Sequence, residues 1–266
     1  MTAIGHLREL VAYRELVGNL ARRDLSLKYK GSTLGIVWSL LNPLLMMAIY
    51  ATIFGIVLRT VNTPHYWALL LSGLLPWTFF SSGMLASTIS FVRTSSLITK
   101  VYFPIESLPI ANVLAHFVNF IISLVIFIPV LLIAGIQLGT SLLLLPLLLL
   151  ATLAFTLGLG LLVATLTVYF RDLEHLIGIG LTAWFFVTPV LYPLNASALP
   201  PGAARYIPIL KLNPLAWYTE SFHSILYYGQ APSTLLFSAV LLSSVVMLVG
   251  GYLVFLHFRD RLPEEL

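Results

Sequence analysis

Hydrophobic positions in this chain come in long blocks that no charge interrupts. Residues 107 to 170 contain no Asp, Glu, Lys or Arg, and further long uncharged runs lie on both sides. An α-helix rises ~1.5 Å per residue and bilayer hydrocarbon is ~30 Å thick, so about 20 apolar residues make one crossing. The longest run therefore holds two crossings, separated at Gly135-Ile-Gln-Leu-Gly139-Thr140. In hydrocarbon every backbone N–H and C=O needs an internal partner, and blocks this long do not alternate as barrel strands do. The pattern predicts helical spans near 34–58, 66–92, 107–134, 141–170, 176–193 and 233–258. The expected fold class is an all-α polytopic membrane protein with six transmembrane helices.

The first 33 residues have a different period. Leu10, Tyr13, Val17, Leu20 and Leu27 recur at three-, four- and seven-residue steps, while Arg8, Glu15, Arg22, Ser26 and Lys30 take the other face. That is an amphipathic interfacial helix and not a signal peptide, which needs a compact apolar core and a cleavage site. It serves either as a lipid-surface anchor or as a surface that also touches a cytoplasmic partner. The expected organisation is 1–33 as this helix, 34–258 as the six-span domain and 259–266 as a tail.

Charge then orients the spans. Eleven of the 14 Lys and Arg residues fall in the N-terminal segment, in the connections holding Arg93, Lys100 and Arg171, and in the tail at Arg259 and Arg261. The opposite loops hold Arg59, Arg205 and Lys211. The excess of basic residues on one side predicts that both termini are cytoplasmic. A composition of 59% hydrophobic and 9% charged residues, with mean hydropathy +0.98, excludes a soluble domain. A net charge of +4 gathered at membrane edges suits anionic lipid headgroups and not nucleic acid. With no Cys, disulfides and zinc-thiolate sites are excluded.

The connection after the fifth span is long and holds Pro200, Pro201, Pro208 and Pro214 together with an aromatic stretch from Leu215 to Tyr228. Irregular backbone at membrane depth survives only where protein or water covers it, so 194–230 reads as re-entrant or interfacial helices on the outer face. An aromatic belt at the headgroups explains the Tyr and Trp residues equally well. No G-x-x-x-x-G-K-[ST] pattern is present, so the chain has no P-loop of its own. Glu106, Asp172, Glu174 and Glu220 fall at predicted edges or loops, which disfavours an ion-coupled transporter. His116 and His223 are the titratable candidates near membrane depth, and each is more often a packed residue than a relay. A membrane-embedded enzyme acting on lipid-linked sugars would use Arg171, Asp172, Glu174 and His175, which otherwise form a charged turn between helices.

Four ordered stretches carry a family resemblance. They are Arg23-Asp-Leu through Trp38 with Asn42-Pro43-Leu44; Lys100-Val-Tyr-Phe-Pro104 with Pro109; Tyr169-Phe-Arg-Asp172 followed by Phe185 to Pro193; and Leu212-Asn-Pro214 through Tyr228-Gly229. Together they resemble the permease subunits of type-2 ABC exporters, most nearly those that export lipid-linked polymers, with wall teichoic acid favoured over O-antigen polysaccharide. The resemblance implies a homodimer working with two separate cytoplasmic ATPase subunits. ATP and Mg would be used by those partners, and this chain would bind no cofactor or metal and hold no catalytic residue. It also implies the cytoplasmic membrane of a bacterium as location and a polyprenyl-pyrophosphate-linked polymer as substrate. Exporters of a drug or a lipid share the architecture and remain the alternative.

Two candidate sites follow. Between the second and third spans, Arg93, Lys100 and Glu106 bracket Tyr102 and Phe103, an expected aromatic knob with a charged rim for docking the ATPase. For the substrate path, Tyr50 and Phe54 are one helical turn apart on the first span. Phe185 and Tyr192 are seven apart on the fifth span and share a stripe with Gly178, and Trp184 and Phe186 flank it. Aromatic faces pack on sugar C–H groups without the tight hold that fixed charges would exert on a polyanion. The resemblance places these two spans at the dimer interface. The same rings could instead pack helix on helix or face lipid.

Overall fold

In the computed structural model, residues 13–29, 31–57, 64–98, 103–194 and 203–265 are described. All regular elements among them are helical. We label the principal helices α1 (Arg14–Tyr29), α2 (Trp38–Tyr50), α3 (Tyr66–Thr88), α4 (Ser107–Ile133), α5 (Leu145–Tyr169), α6 (Leu173–Val187), α7 (Pro214–Leu226) and α8 (Thr234–Phe258). α2 continues into a wider π-helical segment, Ala51–Val57. A short 3-10 turn, Thr140–Leu144, leads into α5.

Segments Tyr66–Thr88, Ser107–Ile133, Thr140–Tyr169 and Thr234–Phe258 are long and apolar enough to cross a membrane. Two shorter apolar helices, Leu41–Ile56 and Leu173–Val187, stand where the first and fifth spans were expected. α6 is shorter than predicted for a physical reason. Thr188 precedes Pro189, and the proline ring pushes the residue before it out of helical geometry, here to φ −89° and ψ 135°. A tight turn then closes, with the Val190 N–H donating to the Thr188 carbonyl at 2.7 Å.

Two clusters mark the ends of the bundle. At one end, Val17 and Leu20 of α1 pack with Phe91, Phe103, Ile105 and Leu108, with Val168 near the end of α5, and with Phe255 and Leu262. The described basic residues Arg14, Arg22, Arg23, Arg93, Arg171, Arg259 and Arg261 lie on elements of this basic end. At the other end Tyr66, Leu69, Leu70 and Leu74 of α3 meet Val190 and Leu191. There the Tyr66 hydroxyl donates to the Leu191 carbonyl at 2.6 Å, and the Tyr227 hydroxyl donates to the Pro64 carbonyl at 2.5 Å. The apolar helices thus alternate in direction between two ends.

α1 keeps the predicted apolar stripe, but that stripe docks on the chain itself. Val17, Leu20 and Ala21 are buried against the basic end of α4, whereas Arg14, Glu15, Arg22 and Arg23 are exposed. The polar face is the one left exposed. Leu10, Arg8, Leu27 and Lys30 lie outside the described residues or side chains.

The central scaffold is the α5–α8 pair. A Cβ added at Gly158 or Gly251 would collide with backbone of the opposing helix, so the two helices touch main chain to main chain. Small residues at such crossings let dispersion replace the hydrophobic drive that lipid cannot supply. Outward faces of α4 and α8 carry Val125, Ile126, Ile133, Leu235, Leu242 and Val246, all exposed as side chains that hydrocarbon would solvate.

In the 194–230 region, the short turns 203–210 are largely exposed, while α7 is buried between α3, α5 and α8. Its rings bond in two directions, Tyr218 into the bundle and Trp217 to the exposed segment before it. The Tyr218 hydroxyl donates to the Val240 carbonyl at 3.1 Å, and Trp217 Nε1 donates to the Lys211 carbonyl at 2.7 Å. α7 is therefore a packed helix more than a headgroup belt. His223 on α7 is buried against Gly73 of α3 and bonds the Leu69 backbone, which fits a packing role. Glu220 on the same helix is half-buried; burial raises its carboxyl above the ordinary range, and Lys211 opposes that shift.

Candidate functional site

The aromatic residues expected from the first and fifth spans converge within one chain. Tyr50 and Phe54 sit one turn apart on α2 and its extension, with ring centroids 6.3 Å apart. Tyr50 reaches Phe185 of α6 at 5.6 Å. Trp77 of α3 closes on Phe185 at 5.4 Å, and Phe80 meets Trp184 edge-on at 5.7 Å. The result is an aromatic wall that joins α2, α3 and α6. Trp77 and Phe80 were not anticipated, because α3 is apolar all round and its period singles out no face.

Exposure divides the set. Phe185 is buried at 7%, Tyr50, Phe54, Trp184 and Tyr192 are half-buried, and Phe186 is 55% exposed. Phe185 and Trp184 therefore hold helices together. Phe186 lies open on α6 beside Val187, and α2 exposes Ile49, Ile53 and Ile56. Tyr192 corrects the proposed stripe: α6 ends at Val187, so a seven-residue helical step from Phe185 does not apply. The turn at Pro189 instead folds Tyr192 back, and its hydroxyl donates to the Phe186 carbonyl at 3.2 Å.

Asn213 fixes this wall from the loop side, a role that the sequence reading missed. Its Oδ1 accepts from Trp184 Nε1 at 2.8 Å and from the Leu215 backbone N–H at 3.1 Å, while its Nδ2 donates to Thr188 Oγ1 at 3.0 Å. One side chain thus caps α7, anchors the Trp184 ring and holds the end of α6. The Asn213-Pro214 pair is the signal that could have found it, since Asn at an N-cap followed by Pro at the first helical position is a strong helix start.

The expected docking knob is built differently. Phe103 is 8% exposed and seats in the cluster formed with α1, and Glu106 is fully buried at the entry to α4. They brace the basic end and do not protrude from it. Residues 103–106 are drawn in because Pro104 and Ser107 form a compact turn, the Ser107 hydroxyl donating to the Pro104 carbonyl at 2.6 Å. Arg93 is exposed at the end of the short helix Ser90–Arg93. Lys100 and Tyr102 lie outside the described residues. Arg171 and Asp172 on the turn between α5 and α6, and Glu174 and His175 in the first turn of α6, are all exposed.

Comparison with known proteins agrees with this architecture. The profile of the ABC-2 type transporter family matches residues 15–227. The chain is 36% identical over 264 residues to the O-antigen export system permease protein RfbA of Myxococcus xanthus, covering 98% of each chain. It is 31% identical over 253 residues to the protein of the same name from Klebsiella pneumoniae, covering 95% of each. A helical, multi-pass membrane chain matched along nearly its whole length in this way belongs to the ABC-2 type transporter family, as a permease subunit whose ATPase is a separate partner.

Proposed function

We propose that this chain is the transmembrane subunit of an ATP-driven exporter of a lipid-linked polysaccharide, with an O-antigen-type polymer as its substrate. The observation that carries the reading is the end-to-end similarity to permeases named for O-antigen export. It shifts the preference from wall teichoic acid to O-antigen. Two copies would form the path, each paired with an ATPase, and the basic end would face the cytoplasm and contact those ATPases. The aromatic wall suits such a path because rings hold sugars weakly and let them pass. Phe186 and the exposed edge of α2 are the surfaces that would meet the polymer or the second copy. Motion begun at the basic end would travel along α4, α5 and α8, since α1 and the 103–106 turn are packed into that same cluster.

The test is deletion of the gene followed by complementation. Surface polysaccharide should disappear while lipid-linked polymer accumulates inside, and the wild-type chain should restore export. Normal surface polymer, together with a defect in drug or lipid efflux, would overturn the reading in favour of another type-2 exporter.

A further inference from the structure

At the basic end, α8 does not release a free tail. Past Phe258 the chain forms a 3-10 turn, Arg259–Arg261, and then a short helix, Leu262–Glu265. Tyr252, Phe255, Arg259 and Leu262 follow steps of three, four and three, so one side of α8 runs on through both elements. Phe255 and Leu262 are wholly buried in the cluster that holds Phe103 and Ile105, and Tyr252 packs against it. Phe255 also meets Phe91 of the short helix Ser90–Arg93, with ring centroids 6.1 Å apart. α8 and its continuation thus wall the seat in which the 103–106 turn lies.

Glu106 is the unusual occupant of that seat. Its side chain is fully buried, at the end of a turn whose Phe103 and Ile105 belong to the apolar cluster. A buried carboxylate costs free energy unless polar groups face it. α8 supplies such groups: Glu106 and Arg259 both lie close enough to act electrostatically on the Tyr252 hydroxyl. That hydroxyl is buried and has no hydrogen-bond partner among the described residues, and the Tyr169 hydroxyl at the same end is in the same position. A buried hydroxyl left without a partner destabilises the arrangement that contains it. A carboxylate has lone pairs for several donors at once, so Glu106 can accept from Tyr252 without giving up another interaction.

A donor and an acceptor that lie near each other and do not bond point to a second arrangement in which they do. Packed helix interfaces move between discrete arrangements because they have little room to deform continuously. A small slide or roll of α8 against the start of α4 brings the Tyr252 hydroxyl onto the Glu106 carboxylate, where the bond is charge-assisted. We propose that Tyr252 and Glu106 form a latch between α8 and the 103–106 turn, open in this structure and closed when the partner ATPases displace that turn. Closing it makes the basic end of α8 follow the turn. Phe255 and Leu262, buried on the same side, keep α8 seated while it moves. Tyr252 is a positioning residue in this scheme, and the latch rests on the reading that the basic end meets the ATPases.

The experiment uses the permease with its partner ATPase in nanodiscs. Melting temperature is read in the nucleotide-free and the orthovanadate-trapped complex, together with the rate of ATP hydrolysis. Tyr252→Phe deletes only the hydroxyl. It should leave the nucleotide-free melting temperature unchanged or raised, lower that of the trapped complex, and slow hydrolysis about tenfold, the worth of one charge-assisted bond. Glu106→Gln should slow hydrolysis as well, and the double variant should be no slower than the slower single one, because both changes remove the same bond. Tyr169→Phe removes the other buried hydroxyl, which the latch does not use, and should keep the rate within about twofold of wild type. Where Glu106→Gln fails to assemble, Tyr252→Phe set against Tyr169→Phe decides alone. A nucleotide-free melting temperature lowered by Tyr252→Phe would mean that the hydroxyl is already bonded, and would overturn the latch. So would an unchanged rate in Tyr252→Phe, or equal slowing in Tyr169→Phe. None of these readouts involves the polymer, so their failure leaves the exporter reading standing, and failure of the deletion experiment leaves the latch standing.

Discussion

Gly158 and Gly251 bring α5 and α8 into backbone contact, whereas α2 and α6 meet through the rings of Tyr50 and Phe185. The first pair is long and closely packed along its shared seam, although the outer face of α8 is exposed. The second pair is short, and much of its surface is exposed: Ile49, Ile53 and Ile56 on α2, and Leu176, Ile179 and Phe186 on α6. Gly178 and Gly180 of α6 have open space where a Cβ would point, in contrast to the collision at Gly158. The difference separates a seam in which volume is specified to a methyl group from one that meets through side chains and leaves room at Gly178 and Gly180. Packed elements of the first kind transmit displacement because they have little room to deform.

The sharpest way to break this comparison is to add volume on each side. Gly158→Leu should destabilise the protein by about 3 kcal/mol or more, because the obstruction is backbone and cannot rotate away. Gly178→Ala should change stability by less than about 0.5 kcal/mol. Thermal unfolding of both variants in detergent reads the contrast, and equal tolerance would mean that α5 and α8 are not in main-chain contact.

Removing volume from the aromatic wall comes next. Phe185→Ala should cost about 3 kcal/mol, since the ring is buried among Tyr50, Trp77 and Phe186. Phe186→Ala should cost less than about 0.5 kcal/mol at its 55% exposure, yet lower surface polymer at constant protein level. If both variants lose export only in proportion to protein level, the wall is structural and not a lining.

Asn213→Ala should be milder than Phe185→Ala, at about 2 kcal/mol, through the lost cap and the unpaired Trp184 indole. A red shift of tryptophan emission should accompany the change if Trp184 is released. Smallest is Tyr66→Phe, which removes one hydroxyl bond to Leu191 and should cost about 1 kcal/mol. An unaltered melting temperature in that variant would mean that the turn after α6 is held by packing alone.

The helical character and the order of the apolar segments could be read from charge-free runs, because hydrocarbon forces each crossing to be helical and nearly uncharged. Amphipathic spacing likewise identified the buried stripe of α1 at Val17 and Leu20. Where that stripe docks could not be read, since the same period serves lipid or protein. Local residue order also placed the end of α6 too late, at 193, although Thr188-Pro189 carried the stop. Tyr50 and Phe185 were each expected to line a path, from chemistry and family likeness, but their contact with each other inside one chain was not. Burial of Phe185 and exposure of Phe186, adjacent in sequence, depend on which way α6 rolls against α2 and α3, and periodicity does not set that rotation where every face is apolar. Phe103, an expected knob, and Glu106, part of its expected rim, moved to the interior for the same reason: a loop's polarity is local, whereas its burial depends on what α1 and α8 bring against it.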